Sequence, residues 1–329
     1  MPSRTSCTCT SIHASGRRET LATTIVSEAS RRATALRERA TFDLMRFRKF
    51  LLLLLHDKLA AAGLVIIAAF IFISIAAPFL VGPYPTQFDR TKAMQPPSNA
   101  HPFGTDWQGF DVLKLVVYGG RVSILIGFIS SIVAMLLGTS VGLVAGYYGR
   151  VTDQLLSRAT DFFLVIPWLP FVLILVAILG SSLATIIFAI AIVSWPTTAR
   201  IIRAQVLTVK ERQFIERARA VGAGNGFILR KHILPNVMPL VWAEAVLTIS
   251  SAVFTEAFLS FFGLGWRGPG AVESWGQIAN EAYVNSALLR GLWLYFAPPG
   301  IFITLVVLGF AMLGYGLEEV LNPALKRRV

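Results

Sequence analysis

The chain has 329 residues, of which 55% are hydrophobic and only 15% are charged, and its mean hydropathy is +0.65. This composition is too apolar for a soluble domain and predicts a protein whose solvent is a lipid bilayer. The formal net charge is +12, but the basic residues flank apolar segments instead of forming one stripe, so the charge gives no reason to assign a nucleic-acid partner.

The amino-terminal segment is polar and then basic and apolar. Residues 1–45 are rich in Ser, Thr, Arg and Ala and lack an apolar run long enough for a secretory signal, so we predict a disordered cytoplasmic tail. Its Cys7 and Cys9 supply too few ligands for a metal site and no disulfide framework. Residues 46–58 predict an interfacial helix along the inner membrane face. The alternative is that they extend the first membrane span.

Residues 59–329 predict one all-α domain with six membrane spans, because a hydrocarbon core of about 30 Å requires about 20 mostly apolar residues per helix. The predicted spans are residues 59–80, 122–147, 162–179, 183–200, 237–262 and 292–317. Within the second span, Gly127, Gly138, Gly142 and Gly146 have spacings that permit close helix contact.

Basic residues predict the orientation of these spans. Lys and Arg are frequent before the first span, between spans two and three, between spans four and five, and after the sixth, whereas the outer segments contain few. Under the positive-inside rule, both termini lie in the cytoplasm.

The loop between spans four and five, residues 201–236, has the most distinctive pattern. Residues 209–221 are free of Gly and Pro and predict an amphipathic helix, with Phe214, Ile215, Ala218 and Val221 on one apolar face. We expect that face to bury against a partner or the membrane, because otherwise it would be exposed to water.

The predicted end of this helix is a pair of glycines. Gly222 and Gly224 are expected to stop it, since glycine adopts the left-handed conformation without steric cost. A second short helix, residues 227–233, is expected to end before Pro235.

Residues 216–218 (E-R-A), Gly222, and the later Leu234 and Pro235 resemble the EAA signature of bacterial ABC importer permeases. Arg217 departs from the middle alanine, but the glycine break and the proline are retained. The resemblance implies a coupling helix that sits in a groove of an ATPase subunit. The residues to which it assigns that contact are Phe214, Ile215, Glu216, Ala218, Arg219, Gly222, Leu234 and Pro235.

Further motifs resemble the C-type subunit of dipeptide and oligopeptide permeases. They are HPFGTD at 101–106, EAFLSFFGLG at 256–265, Ser274-Trp275-Gly276 and GYGLEEVLNP at 314–323, and the resemblance extends in the expected order over about residues 46 to 328. Phe110 stands where the family usually has arginine, and the stretch 266–273 is longer than usual.

The resemblance implies a type I ABC importer permease fold in a bacterial or archaeal inner membrane. It implies a pathway formed with a second permease subunit, two cytoplasmic ATPase subunits, an extracytoplasmic solute-binding protein, and a di- or oligopeptide substrate. Nickel or another small solute is the alternative cargo.

Three glutamates leave interpretations open. Glu216 could contact the ATPase or pair with Arg212 and Arg219 along its own helix. Glu244 could face the central pathway or a neighbouring helix. Glu256 could line the pathway or pack between helices near the outer interface.

Several classes of activity lack sequence support. The chain contains no G-x-x-x-x-G-K-[ST] phosphate loop and no H-E-x-x-H zinc motif. We therefore expect no enzyme activity, cofactor or metal site, and ATP hydrolysis by partner subunits. A self-sufficient secondary transporter is the main rival, but it would need internal repeats, and none is clear.

Overall fold

A computed structural model describes residues 53–268 and 272–321 of the chain. Those residues are helical apart from loops, a 3-10 turn at Arg90–Lys92 and one isolated β-bridge between Thr105 and Asp111. Among them, five helices are long and apolar enough to cross a membrane, or six if one sharply bent helix pair counts as a single span. This confirms the all-α, polytopic fold class.

The helices are labelled in chain order. They are α1 Lys58–Leu80, α2 Val112–Tyr148, α3 Arg150–Val165, α4 Trp168–Leu179, α5 Leu183–Lys210, α6 Gln213–Ala220, α7 Asn225–Leu264, α8 Trp275–Val284 and α9 Trp293–Leu321. Within α7, two π-helical turns, Leu229–Ile233 and Ser260–Leu264, flank the α-helical stretch Leu234–Leu259.

The start of α1 is set by Asp57. The Asp57 backbone is extended, and its carboxylate accepts a hydrogen bond of 2.8 Å from the backbone N–H of Ala60, as an N-cap does. Residues 53–56 form a helical turn that Asp57 interrupts, so α1 does not continue through them. The predicted tail and the first part of the predicted interfacial helix, residues 46–52, lie outside the described residues.

The third predicted span is not one straight helix. In place of a single helix over 162–179, α3 and α4 meet at an angle of 88°. The bend falls at Pro167, and the preceding Ile166 is extended, with ψ at 126°. Proline disfavours the helical conformation of the residue before it, so Pro167 imposes a break in the helix. The apolar pattern is continuous across this position and therefore did not indicate the break.

Other spans also differ from prediction at their ends, and α7 begins at Asn225 where the predicted span begins at residue 237. Helix α2 begins at Val112, ten residues before the predicted start, because the Asp111 side chain caps it through the backbone N–H of Leu113. Helix α5 continues to Lys210, beyond the predicted end at residue 200. Hydropathy locates the bilayer-embedded part of a helix, and these helices extend past it.

The glycines of α2 allow its closest helix contacts, as predicted. A Cβ atom at Gly138 would lie 2.6 Å from Cβ of Thr198, and one at Gly142 would lie 2.7 Å from the carbonyl oxygen of Ala199, both on α5. Gly127 packs in the same way against Val253 of α7. Helix α2 is therefore clamped between α5 and α7 through positions where a side chain does not fit.

Hydrogen bonds to the backbone of α1, just before Pro78, join α1 to α2. Proline lacks an N–H, so the carbonyl oxygen of Ser74, four residues earlier, loses its helical partner. The Arg121 guanidinium of α2 replaces that partner: Nε donates to Ser74 O over 2.6 Å, and Nη2 donates to Ile75 O over 3.0 Å. This contact satisfies a polar group that lipid could not.

Candidate functional site

Helix α6 is a short helix at the end of the bundle, two residues after α5. It spans Gln213–Ala220, so the predicted helix over 209–221 is wrong at its start. Arg212 interrupts it with an extended backbone, ψ 141°. Lys210, the last residue of α5, donates through Nζ to the carbonyl oxygen of Gly146 over 2.9 Å and so ties this junction to the end of α2.

The apolar residues of α6 do not form a single partner-facing stripe. Ile215 is fully buried in the chain's own core, among residues of α2, α5 and α7, and Ala218 packs against the same cluster. Phe214 and Val221 point away and are 40% and 84% exposed. Successive residues of a helix point in directions about 100° apart, so Phe214 and Ile215 lie on different surfaces of α6. The prediction that the whole apolar face is buried by a partner or the membrane is therefore wrong.

The end of α6 has the geometry of a Schellman motif. Gly222 has φ +82°, its N–H donates to Arg219 O over 2.9 Å, and the N–H of Ala223 donates to Ala218 O over 3.0 Å. The predicted stop at Gly222 is therefore confirmed. Gly224 is extended, with φ −69°, and precedes α7, so its predicted role in ending the helix is wrong.

Tyr147, at the end of α2, joins α6 to the start of α7. The Arg219 guanidinium lies over the Tyr147 ring, 5.7 Å from its centroid, and the Tyr147 hydroxyl donates to Oδ1 of Asn225 over 2.8 Å. Glu216 is exposed and forms no ion pair with Arg212 or Arg219 among the described residues. Its carboxylate is therefore open to a neighbour outside the chain.

The remaining predicted coupling residues begin the long helix α7. His232 contacts the rings of Phe214 and Phe227, with centroids 6.2 and 5.6 Å away, and Leu234 is half-buried while Pro235 is exposed. No helix ends before Pro235. The π-helical turn preceding it is wider than an α-turn and accommodates a residue without an N–H, so that prediction is wrong.

A cavity of about 590 Å³ opens between α5, α7 and α9. Its lining residues are Trp168, Val193, Ser194, Thr197, Ile201, Glu244, Leu247, Thr248, Ser250, Ser251, Phe254, Thr255, Val307, Ala311 and Tyr315. Glu244 is the lining residue with a carboxylate. Of the two glutamates singled out from the sequence, this is the one that the fold brings to a cavity.

Glu256, eight residues beyond Thr248 on α7, has a different environment. It is 1% exposed, and Ser260 Oγ donates to its Oε1 over 2.7 Å. It does not line the cavity. The structure thus places the two glutamates of one helix in unlike surroundings, one in an open cavity and one packed between helices.

Three carboxylates that the sequence analysis did not single out lie together outside the membrane spans, two of them in loops and one in α8. Asp106 is fully buried and accepts hydrogen bonds from the backbone N–H groups of Gln108 (2.9 Å) and Phe110 (2.6 Å). Burial raises its pKa to about 7. Burial also raises the pKa of Glu273 and that of Glu281, whose Oε2 accepts from Trp107 Nε1 over 3.0 Å. Motif letters alone do not reveal this, since Asp106 is distant in the sequence from Glu273 and Glu281.

No group of three or more His, Cys, Asp or Glu side chains within the described ranges is arranged to hold a metal ion.

Two protein families match the chain. Residues 138–327 match the family described as the binding-protein-dependent transport system inner membrane component. Residues 46–97 match the amino-terminal transmembrane domain of oligopeptide transport permease C.

Curated relatives match over most of their length. The dipeptide transport system permease protein DppC of Alkalihalophilus pseudofirmus is 40% identical over 82% of this chain and 87% of its own. The oligopeptide transport system permease protein OppC of Bacillus subtilis is 36% identical over 86% of this chain and 89% of its own. The glutathione transport system permease protein GsiD of Pectobacterium atrosepticum is 34% identical, covering 85% and 92%.

Proposed function

Because this chain belongs to the family of binding-protein-dependent transport system inner membrane components, we propose that it forms one half of a membrane pathway that imports di- or oligopeptides. The resemblance of the chain to this family is confirmed, and the chain is a multi-pass inner-membrane permease component of an ABC importer. The peptide cargo is proposed from the relatives, two of which are named as dipeptide and oligopeptide permeases.

The proposed assembly has four kinds of contact. A second, similar permease subunit completes the pathway, two cytoplasmic ATPase subunits bind below, an extracytoplasmic solute-binding protein delivers the cargo, and lipid surrounds the spans. Both termini of this chain lie on the ATPase side, as the basic residues predict. ATP hydrolysis takes place in the partners.

The observation that supports this assembly best is that α6 has one side buried in the bundle and another side exposed. Phe214 and Val221 are exposed apolar side chains on a helix at the end of the bundle, where water would otherwise contact them. Glu216, on the same helix, is exposed and forms no ion pair with any residue that the structure describes. An aromatic and an aliphatic anchor beside a charge suit docking into a groove on an ATPase.

The buried side of α6 supplies the route for force. Ile215 packs among Ile202 and Val206 of α5 and Val237 of α7, and α5 and α7 are two of the helices that bound the cavity. When ATP binding draws the two ATPases together, a movement of α6 is transmitted through Ile215 to the cavity walls. The cavity then opens alternately to the two sides of the membrane.

Co-purification of the assembly tests the docking surface. In Val221→Glu a charge replaces a side chain that is 84% exposed, so the fold is retained while the ATPases are expected to be lost and the second permease kept. Leu289→Glu is the matched control, because Leu289 is 90% exposed and lies one membrane crossing away, beyond α7. Retention of the ATPases by Val221→Glu would contradict the proposed docking.

Uptake by reconstituted vesicles tests the cargo. We expect ATP-dependent accumulation of a labelled dipeptide in the presence of the binding protein, with competition by unlabelled peptides. Competition by Ni²⁺ with no effect of peptides would instead favour the alternative cargo.

A further inference from the structure

The hydroxyl groups in the cavity are already committed as donors. Each of five lining hydroxyls donates its proton to a backbone carbonyl oxygen: Ser194 to Ile190 (2.8 Å), Thr248 to Glu244 (2.8 Å), Ser250 to Val307 (2.8 Å), Ser251 to Thr248 (3.0 Å) and Thr255 to Ser251 (2.7 Å). A carbonyl oxygen only accepts, so the direction of these bonds is fixed. Since a hydroxyl has one proton and two lone pairs, these groups have only acceptor capacity left for a ligand.

These acceptors form a track along α7. Glu244, Thr248, Ser251 and Thr255 follow one another at i, i+4, i+7 and i+11, which is one face of a helix. At 1.5 Å per residue the track is about 16 Å long. Glu244 lies at its end nearer to α6.

The only charged group among the described lining residues is a carboxylate. Glu244 carries the carboxylate, and the lining residues include no Lys, Arg or His. Three lining side chains, Trp168, Thr197 and Tyr315, have a donor group, and they come from α4, α5 and α9 and not from α7. The α7 wall therefore attracts cations and N–H donors.

We propose that the α7 wall of the cavity binds the protonated amino terminus of the peptide in passage, with Glu244 as the residue that determines this specificity. The inference rests on the proposed peptide transport function. An ammonium group has three donors and no acceptor, which matches an acceptor track that ends in a carboxylate. Withdrawing an ammonium from water is unfavourable unless a counter-charge and hydrogen bonds compensate, and the wall provides both.

The same geometry explains why the cavity would accept peptides of different amino-acid sequence. The groups recognised are those that every unblocked peptide has, the terminal ammonium and backbone N–H donors. Variable side chains meet the apolar part of the lining, which includes Val193, Leu247 and Phe254. A free carboxylate placed at Glu244 would be repelled, so the peptide is held with its amino end toward that residue.

The test uses a pair of photoreactive tripeptides that differ only in N-terminal acetylation, each with a benzophenone at the carboxyl end. They are applied to the purified complex of both permeases and both ATPases in lipid nanodiscs. The solute-binding protein is left out, so its own selectivity does not enter. Labelling of residues 244–255 is measured by mass spectrometry.

We expect the wild type to label about tenfold more with the free-amino probe, the factor that one charge-assisted hydrogen bond supplies. Glu244→Gln should remove this preference, and Glu244→Asp, which keeps the charge, should retain part of it. Asp161→Asn is the matched control, since Asp161 of α3 is an exposed carboxylate that lines a different pocket, and it should label as the wild type does. Retained partner subunits in each variant report correct folding.

Equal labelling by both probes in the wild type, or an intact preference in Glu244→Gln, would overturn the proposal. ATP-dependent dipeptide uptake by the wild type separates the two ideas. If uptake is absent, the proposed peptide transport fails. If uptake is normal while the probes do not discriminate, only the role of the α7 wall fails.

Discussion

Truncation of Ile215 should separate ATPase binding from coupling. Helix α6 has eight residues, well below the length at which a helix is stable alone in water, so its position depends on packing against the bundle. Ile215 is fully buried there, and replacing a buried Ile by Ala costs about 2–5 kcal/mol. The stacking of Arg219 on Tyr147 contributes only about 0.5–1 kcal/mol at such a surface. Ile215→Ala therefore removes the larger part of the anchoring.

A loss of about 2 kcal/mol shifts the equilibrium between packed and detached α6 by about 30-fold. The exposed surface at Phe214 and Val221 is unchanged, so Ile215→Ala should still co-purify with the ATPases. Peptide uptake per ATP hydrolysed, measured in proteoliposomes, should fall strongly. Ile215→Val, which loses one methylene, should keep most of the coupling. An unchanged ratio of uptake to hydrolysis in Ile215→Ala would refute the idea that this side chain transmits the movement.

Three further predictions concern the stop, the span contact and the loops. Gly222→Ala should destabilise the end of α6 by about 1–2 kcal/mol, because φ is +82° there. Gly222→Asn should cost less, and an equal ratio of uptake to ATP hydrolysis in the wild type and both variants would count against a positioning role. Arg121→Met should lower the melting temperature in detergent, because it leaves the carbonyl oxygen of Ser74 unpaired. The decrease should be smaller in a Pro78→Ala background, where the restored N–H of residue 78 bonds to that oxygen. Additive effects of the two substitutions on the melting temperature would exclude this explanation. The folded-state pKa of Asp106 is raised from 3.8 to about 7, so the protonated form is favoured in the fold. The stability that this group contributes is fully present below pH about 4 and is lost as the pH rises through about 7. Thermal melts at pH 5 and 8 should differ less in Asp106→Asn, and an unchanged difference would contradict the assignment.

Local features of the chain were predictable because they depend on short-range physics. Hydropathy over about 20 residues identified α1 within one residue at its start. Gly222 stopped α6 as expected, because the left-handed conformation is a property of a single residue. The glycines of α2 indicated close helix contact, although not that α5 and α7 are the helices involved.

What only the tertiary structure decided is which residues meet. Phe214 and Ile215 are adjacent apolar residues, yet the packing of α2, α5 and α7 buries one and leaves the other exposed. Glu244 and Glu256 belong to one helix, yet one lines a cavity and the other is enclosed between helices. Asp106 and Glu281 are distant in the chain and share a buried site. Burial and electrostatic environment arise from contacts between segments far apart in sequence, and no local pattern specifies those contacts.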